Sequence, residues 1–149
     1  MMNKWLFMIM IKPVAYAVEL FLGVSFTYHE GIGFVNEALA INIGKECSGL
    51  QFFILVFFML ILSFIFKLKG KKKKLLVVFI FLIYAYTIAI LVNAARIIAS
   101  VFLMDLGVFL NAKQKILLHQ SIGVVFYFMY LVASYFLFHK VIHKREEIQ

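Results

Sequence analysis

Three long runs without Asp, Glu, Lys or Arg limit what this chain can fold into. The runs Leu50–Phe66 and Leu75–Val92 contain 17 and 18 residues, and Ile116–Phe138 contains 23, with His119 as its strongest polar member. About 20 helical residues cross the roughly 30 Å hydrocarbon core of a bilayer. Charged residues make up 15% of the chain, whereas a soluble domain has about 25%, and the abundance of apolar residues excludes disorder. We therefore expect a membrane protein.

A fourth apolar stretch, Trp5–Val24, is a weaker candidate span because it contains Lys12, Pro13 and Glu19. Small residues at positions 15 and 17 after a short apolar run also resemble the cleavage site of a signal peptide. The apolar sequence continues well beyond those positions, so we interpret the stretch as a retained span and keep cleavage as the alternative.

These runs predict an all-α fold, a polytopic membrane helical bundle with about four transmembrane helices in one domain. The periodicity of apolar residues within Phe34–Ile43 favours a short helix lying in the membrane interface. The predicted spans cover about residues 5–24, 47–66, 75–103 and 116–138, with an outer loop at 25–46 and a lysine loop at 67–74.

Basic residues predict the orientation of the bundle. Six of the eight residues in Lys67–Lys74 are lysine, and Lys140, Lys144 and Arg145 follow the last run. Because cytoplasmic loops carry an excess of Lys and Arg, we expect a multi-pass protein of the cytoplasmic membrane with both termini and the lysine loop in the cytoplasm. The net charge of +8 is then a topology signal with contacts to membrane lipids, and we predict no nucleic-acid binding.

Three residues able to do chemistry fall at one depth. Cys47, Arg96 and His119 lie about 28, 31 and 28 Å from the cytoplasmic ends of their spans at 1.5 Å per residue. All three are therefore expected at the extracytoplasmic face. Each alone has an ordinary explanation, as a small hydrophobe, a snorkelling cation and a satisfied polar group. Together they are candidates for function, as ionisable residues at membrane depth generally are.

The chemistry that such a set supports is nucleophilic. Cys47 is the strongest nucleophile of the three, and its position near a helix start favours the reactive thiolate, while Glu46 opposes it. His119 is the expected base and later acid, with His29 in the outer loop as the rival base. Arg96 is suited to hold an oxyanion or a substrate carboxylate.

Supporting residues lie close to these in sequence. Asn93 is three residues before Arg96 and so shares its helix face, where it could orient the guanidinium or hold a substrate backbone. Ser48 can satisfy donors of the first helical turn, and Gly49 permits close approach of a substrate chain. Both also have ordinary packing explanations. We expect no metal and no cofactor, because ligand spacings and phosphate loops are missing from the sequence.

Several segments resemble the exosortase/archaeosortase family of membrane-embedded cysteine transpeptidases. They are the segments Glu46–Leu50 (ECSGL), Asn93–Ile97 (NAARI), His119 ahead of Gly123, and Thr27–Gly31 (TYHEG). With about four spans where many members have eight or so, the chain looks closest to the compact exosortase K type.

The resemblance implies an enzyme that cuts the C-terminal sorting signal of exported proteins and transfers the new C-terminus to an acceptor. Such a signal comprises a short motif, a transmembrane helix and a basic tail. In that family role, Cys47 would be the nucleophile, Arg96 the cationic stabiliser and His119 the acid/base residue.

Two functions of other classes compete with this hypothesis. A non-enzymatic scaffold or assembly subunit predicts that Cys47, Arg96 and His119 can each be replaced with little effect. A small transporter predicts polar residues throughout the membrane depth, with Glu19 among them. The nearly apolar interiors of the second and third spans argue against a continuous polar path.

Overall fold

The computed structural model describes residues 4–37, 39, 41–44, 47–67, 70–105 and 112–146, which form four α-helices and one small sheet. The elements are α1 (Lys4–Leu22), β1 (Thr27–His29), β2 (Gly33–Asn36), β3 (Ile41–Ile43), α2 (Leu50–Phe64), α3 (Lys71–Asp105) and α4 (Ala112–Glu146). By length and composition, Lys71–Leu103 and Gln120–Lys140 are able to cross a membrane, and α2 is a shorter apolar helix. The mostly helical architecture agrees with the sequence, and the membrane boundaries stay a prediction.

The segment after α1 differs from the sequence prediction. Its strands form an antiparallel sheet in the order β1-β2-β3, so the helix expected within Phe34–Ile43 and the all-α description are wrong for this segment. Gly31, in the turn between β1 and β2, and Gly33, at the start of β2, have φ of 85° and 121°, which glycine adopts without steric cost. A Cβ on Gly33 would overlap the Ile43 carbonyl, so glycine is required where β2 approaches β3.

The end of α1 is joined to this sheet by polar contacts. Gly23, with φ of 66°, ends the helix by donating its N–H to the Glu19 carbonyl at 2.9 Å, a common C-terminal arrangement. The Glu19 carboxylate accepts the Phe26 N–H at 2.7 Å, and the Asn36 amide donates to the Ser25 carbonyl at 2.7 Å. These bonds hold the sheet over the end of α1.

A proline inside α1 is accommodated by α3. Pro13 has no N–H, so it cannot donate to the Ile9 carbonyl one turn earlier. The Tyr86 hydroxyl of α3 donates to that carbonyl instead, at 2.9 Å. This bond satisfies the carbonyl and joins α1 to α3 at this level.

Helices α2, α3 and α4 pack around an apolar core. On α2 the buried residues recur every fourth position, which forms one stripe along the helix. Small residues Ala85 and Ala89 of α3 allow close approach, as in other membrane bundles. At the end away from the sheet, the Tyr84 hydroxyl lies 2.9 Å from the Ser134 hydroxyl. The buried members of this core are Phe52, Val56, Leu60, Phe64, Phe81, Ala85, Ala89 and Val92.

Part of the predicted lysine loop is helical. Gly70 has φ of 93°, and its carbonyl accepts the Lys74 N–H at 3.1 Å, so Lys71–Lys74 form the first turn of α3. Arg96 follows 22 residues later on the same helix, which corresponds to about 33 Å of helix length. The lysine run and Arg96 therefore lie toward opposite ends of the bundle.

Candidate active site

Cys47 lies in a turn just before α2. Its N–H donates to the Gly44 carbonyl at 3.0 Å, and the helix begins only at Leu50. The prediction that Cys47 starts the helix is therefore wrong by three residues. Glu46, expected to oppose thiolate formation, lies outside the described residues.

The Cys47 side chain is 7% exposed and packs in an apolar cluster. The chain has one cysteine, so an internal disulfide is excluded. The cluster brings together residues from three parts of the fold, and their side chains exclude water from the sulfur. Its other buried members are Ile11, Val14, Ala15 and Val18 of α1, Phe26 and Ile43 of the sheet region, and Ala94 and Ile97 of α3.

Gly49 joins the cysteine turn to α3. It caps α2 with φ of 67° and follows the buried Ser48, whose role in the first turn stays a prediction. A Cβ on Gly49 would overlap the side-chain amide of Asn93. The close packing of α2 on α3 therefore depends on glycine at this position.

We expect Gly49→Ala to lower the free energy of unfolding more than Gly70→Ala. Both glycines have positive φ, which costs a side chain roughly 1 kcal/mol, but the Cβ of Gly70 would meet nothing within 4 Å. The overlap with Asn93 adds about 1–3 kcal/mol of overpacking. Thermal unfolding of the two variants in detergent measures the difference, and equal losses of stability would contradict the packing argument.

A buried chain of hydrogen bonds links α3 to α4. The Arg96 Nη1 donates to the Tyr127 hydroxyl at 3.0 Å, and that hydroxyl donates to the Asn93 Oδ1 at 2.7 Å. The Asn93 Nδ2 donates to the Ala89 carbonyl at 2.8 Å. Asn93 and Arg96 share a helix face as predicted, and they are joined through the tyrosine.

Arg96 is a buried cation. It is 7% exposed, and its Cδ and Nη1 pass 3.1 Å from where a Cβ on Gly123 would stand. Its Nε is buried without a hydrogen-bond partner among the described residues, and no carboxylate of that part of the chain pairs with the guanidinium. Because burial of an uncompensated charge is costly, this arrangement is suited to receive a negative charge.

Tyr127 brings three helices together at the site. Its ring stacks on Phe52 of α2 with centroids 4.6 Å apart and planes 14° from parallel. The Arg96 Cζ lies 5.5 Å from the centroid of the same ring. Tyr127 is not among the site residues predicted from the sequence. Two features of the sequence could have indicated it. Tyr127 lies four residues after Gly123 and so shares its helix face, and the hydroxyl of a buried tyrosine usually needs a hydrogen-bond partner.

The two candidate bases are differently placed. His119 belongs to α4 one turn before Gly123, and so its backbone position lies on the face of α4 that meets Arg96. Its side chain lies outside the described residues. His29 is exposed on β1, with its Nε2 3.3 Å from the Thr27 hydroxyl. Among the described side chains, no group of three His, Cys, Asp or Glu is arranged to hold a metal ion.

Two helices long and apolar enough to cross a membrane, together with a buried thiol and a buried guanidinium, are typical of an integral membrane protein with a candidate reactive site. The family model described as Transmembrane exosortase (Exosortase_EpsH) matches residues 2–136. The chain belongs to this family of transmembrane exosortases. No curated protein and no solved structure matches it.

Proposed function

We propose that this protein is a membrane-embedded cysteine transpeptidase that cleaves C-terminal sorting signals of exported proteins. The observation that carries the proposal is the burial of Arg96 beside the turn of the single cysteine, with no carboxylate partner among the described residues. Membership in the exosortase family supports the same conclusion. A scaffold subunit gives no reason to keep a charge in this position.

In the proposed reaction, His119 takes the proton of the Cys47 thiol, and the thiolate attacks the carbonyl carbon of the scissile peptide bond. A C–S bond forms, and the carbonyl electrons move to oxygen as an oxyanion. The C–N bond then breaks, and His119 donates a proton to the leaving amine, which leaves an acyl group on Cys47 as a thioester. An acceptor amine or water attacks the thioester and loses its proton to the histidine, the C–S bond breaks, and the histidine returns the proton to the released sulfur.

Arg96 is the proposed stabiliser of the oxyanion. One nitrogen of the guanidinium is occupied by Tyr127, while its Nε is unpartnered among the described residues. A donor fixed in advance of the reaction loses little energy to reorganisation when charge develops on the substrate oxygen.

The proposed orientation places this site on the extracytoplasmic side. The lysine run at the start of α3 lies about 33 Å of helix away from Arg96, which fits a cytoplasmic anchor and an outer reaction site. Substrates would then be exported proteins that present a short motif just outside the membrane, followed by a transmembrane helix and a basic tail.

Trapping of the acyl-enzyme tests the proposal. The protein is co-expressed with an exported reporter carrying a motif-helix-basic tail taken from the same genome. Mass spectrometry of the Cys47 peptide is expected to show an added acyl group that hydroxylamine removes, because a thioester reacts with this amine nucleophile. The reporter domain is expected on the outer side of the membrane.

A matched reporter whose short motif is scrambled, with helix and tail kept, serves as the control and should give no adduct. An unmodified Cys47 together with an uncut reporter would contradict the enzymatic proposal in favour of the scaffold. A cut reporter domain recovered in the cytoplasm would contradict the orientation alone.

A further inference from the structure

We infer that Tyr127 is a positioning residue of this site, and that its hydroxyl fixes the Arg96 guanidinium for the reaction at Cys47. The inference rests on the proposed function and adds a residue to which neither the sequence nor the family match assigns a role. Tyr127 is half-buried, and its hydroxyl contacts two side chains of α3.

The direction of each hydrogen bond is determined by the groups involved. A guanidinium only donates, so the Tyr127 oxygen accepts from Arg96 Nη1 at 3.0 Å. The single hydroxyl proton is then directed to Asn93 Oδ1 at 2.7 Å. Asn93 uses its own Nδ2 on the Ala89 carbonyl, which fixes the orientation of the amide. Each member of the chain therefore constrains the next.

The tyrosine ring is itself held in place. Phe52 stacks against it from α2 at 4.6 Å, and Asn93 is confined by Gly49 at the end of the cysteine turn. The hydroxyl thus connects the position of Arg96 to the same residues that determine where the Cys47 turn meets α3. A change at the hydroxyl alone is expected to alter the alignment of Arg96 while the ring keeps the helices packed.

Arg96 has little else among the described residues to orient its polar end. Its Nε has no partner there, and its contact with Gly123 is steric. Without the hydroxyl, the guanidinium can turn about its terminal torsions. Nucleophile and cation would then be aligned in a smaller fraction of molecules, which lowers the rate of the chemical step without removing any group that binds substrate.

The test is Tyr127→Phe, which removes the hydroxyl and keeps the stacked ring. We expect the kcat for reporter processing to fall about 10- to 100-fold, the range for loss of a hydrogen bond to a charged group, with KM nearly unchanged. Tyr130→Phe is the matched control, because Tyr130 lies on the same helix and packs against the same core. It should retain the kcat of the unchanged protein.

A double-mutant cycle distinguishes a positioning role of Tyr127 from a general loss of structure. If Tyr127 acts through Arg96, then Tyr127→Phe should reduce kcat much less in an Arg96→Lys background than in the unchanged protein. Full additivity of the two losses, or equal kcat for Tyr127→Phe and Tyr130→Phe, would overturn the inference and leave the proposed function intact.

If the unchanged protein does not process the reporter, the proposed function fails and the inference is tested by another readout. The rate of Cys47 alkylation by iodoacetamide, at one pH, then replaces kcat in the same cycle. We expect Tyr127→Phe to slow alkylation several-fold and Tyr130→Phe to leave it unchanged, because the aligned guanidinium is a hydrogen-bond donor for the carbonyl oxygen of the reagent. Equal rates in both variants would overturn the inference.

Discussion

Cys47→Ala is expected to abolish processing of a tail-bearing reporter, with a loss of at least about a thousandfold in rate, because the proposed nucleophile is removed. The chain has no second cysteine to substitute for it. The readout is the amount of cut reporter at fixed expression. Unchanged processing would show that Cys47 is not the nucleophile.

The loss should not come from unfolding. Cys47 contributes a small side chain to its cluster, so truncation to Ala costs about 1 kcal/mol or less. The variant protein is therefore expected in the membrane at normal amounts. Cys47→Ser keeps the size of the side chain and is the matched control for packing, and it should be almost as inactive because a serine hydroxyl is a far weaker nucleophile.

Arg96→Met is expected to lower processing about 100- to 1,000-fold, the range for loss of one oxyanion donor, while leaving stability unchanged or higher. Replacing a buried charge by an apolar side chain of similar length removes a desolvation cost, which gives a gain of about 1 kcal/mol or more. Tyr127 donates its proton to Asn93 and only accepts from Arg96. The substitution therefore leaves no donor of Tyr127 unsatisfied.

Activity and thermal unfolding in detergent have to be measured on the same preparation. Lys12→Met is the matched control, because Lys12 is an exposed cation on α1 and is expected to leave processing unchanged. A strong loss of stability in Arg96→Met, with activity falling in proportion, would assign the guanidinium a structural role. A scaffold function predicts no loss of processing in either variant.

The helices could be predicted from the sequence because charge-free runs of this length form few other structures in a bilayer. The same rule does not apply to the segment between Leu22 and Cys47, where strands of three or four residues carry weak periodicity. There the spacing of apolar residues within Phe34–Ile43 is close to that of an amphipathic helix, which is why a helix was expected. In the structure, Phe34 and Val35 pair with β1 on one side and with β3 on the other, which makes this segment part of a sheet.

The sequence allowed the types of residue at the candidate site to be predicted, but not the contacts between them. Cys47 and Arg96 stand out because such groups are rare in apolar runs, and the spacing of Asn93 from Arg96 predicted their shared face. Tyr127 is one of 7 tyrosines, and its role depends on the rotation of α4 against α3. That rotation is set by tertiary packing, which single-helix periodicity does not specify.

The apolar enclosure of Cys47 also bears on how long the protein survives in its environment. Outside the cytoplasm, an accessible thiolate is converted to sulfenic acid and then to irreversible oxidised forms, or forms disulfides with other proteins. A cysteine that is 7% exposed within an apolar cluster meets such oxidants rarely. In the proposed function, the enclosure that a substrate has to open to reach Cys47 therefore also protects the thiol between turnovers.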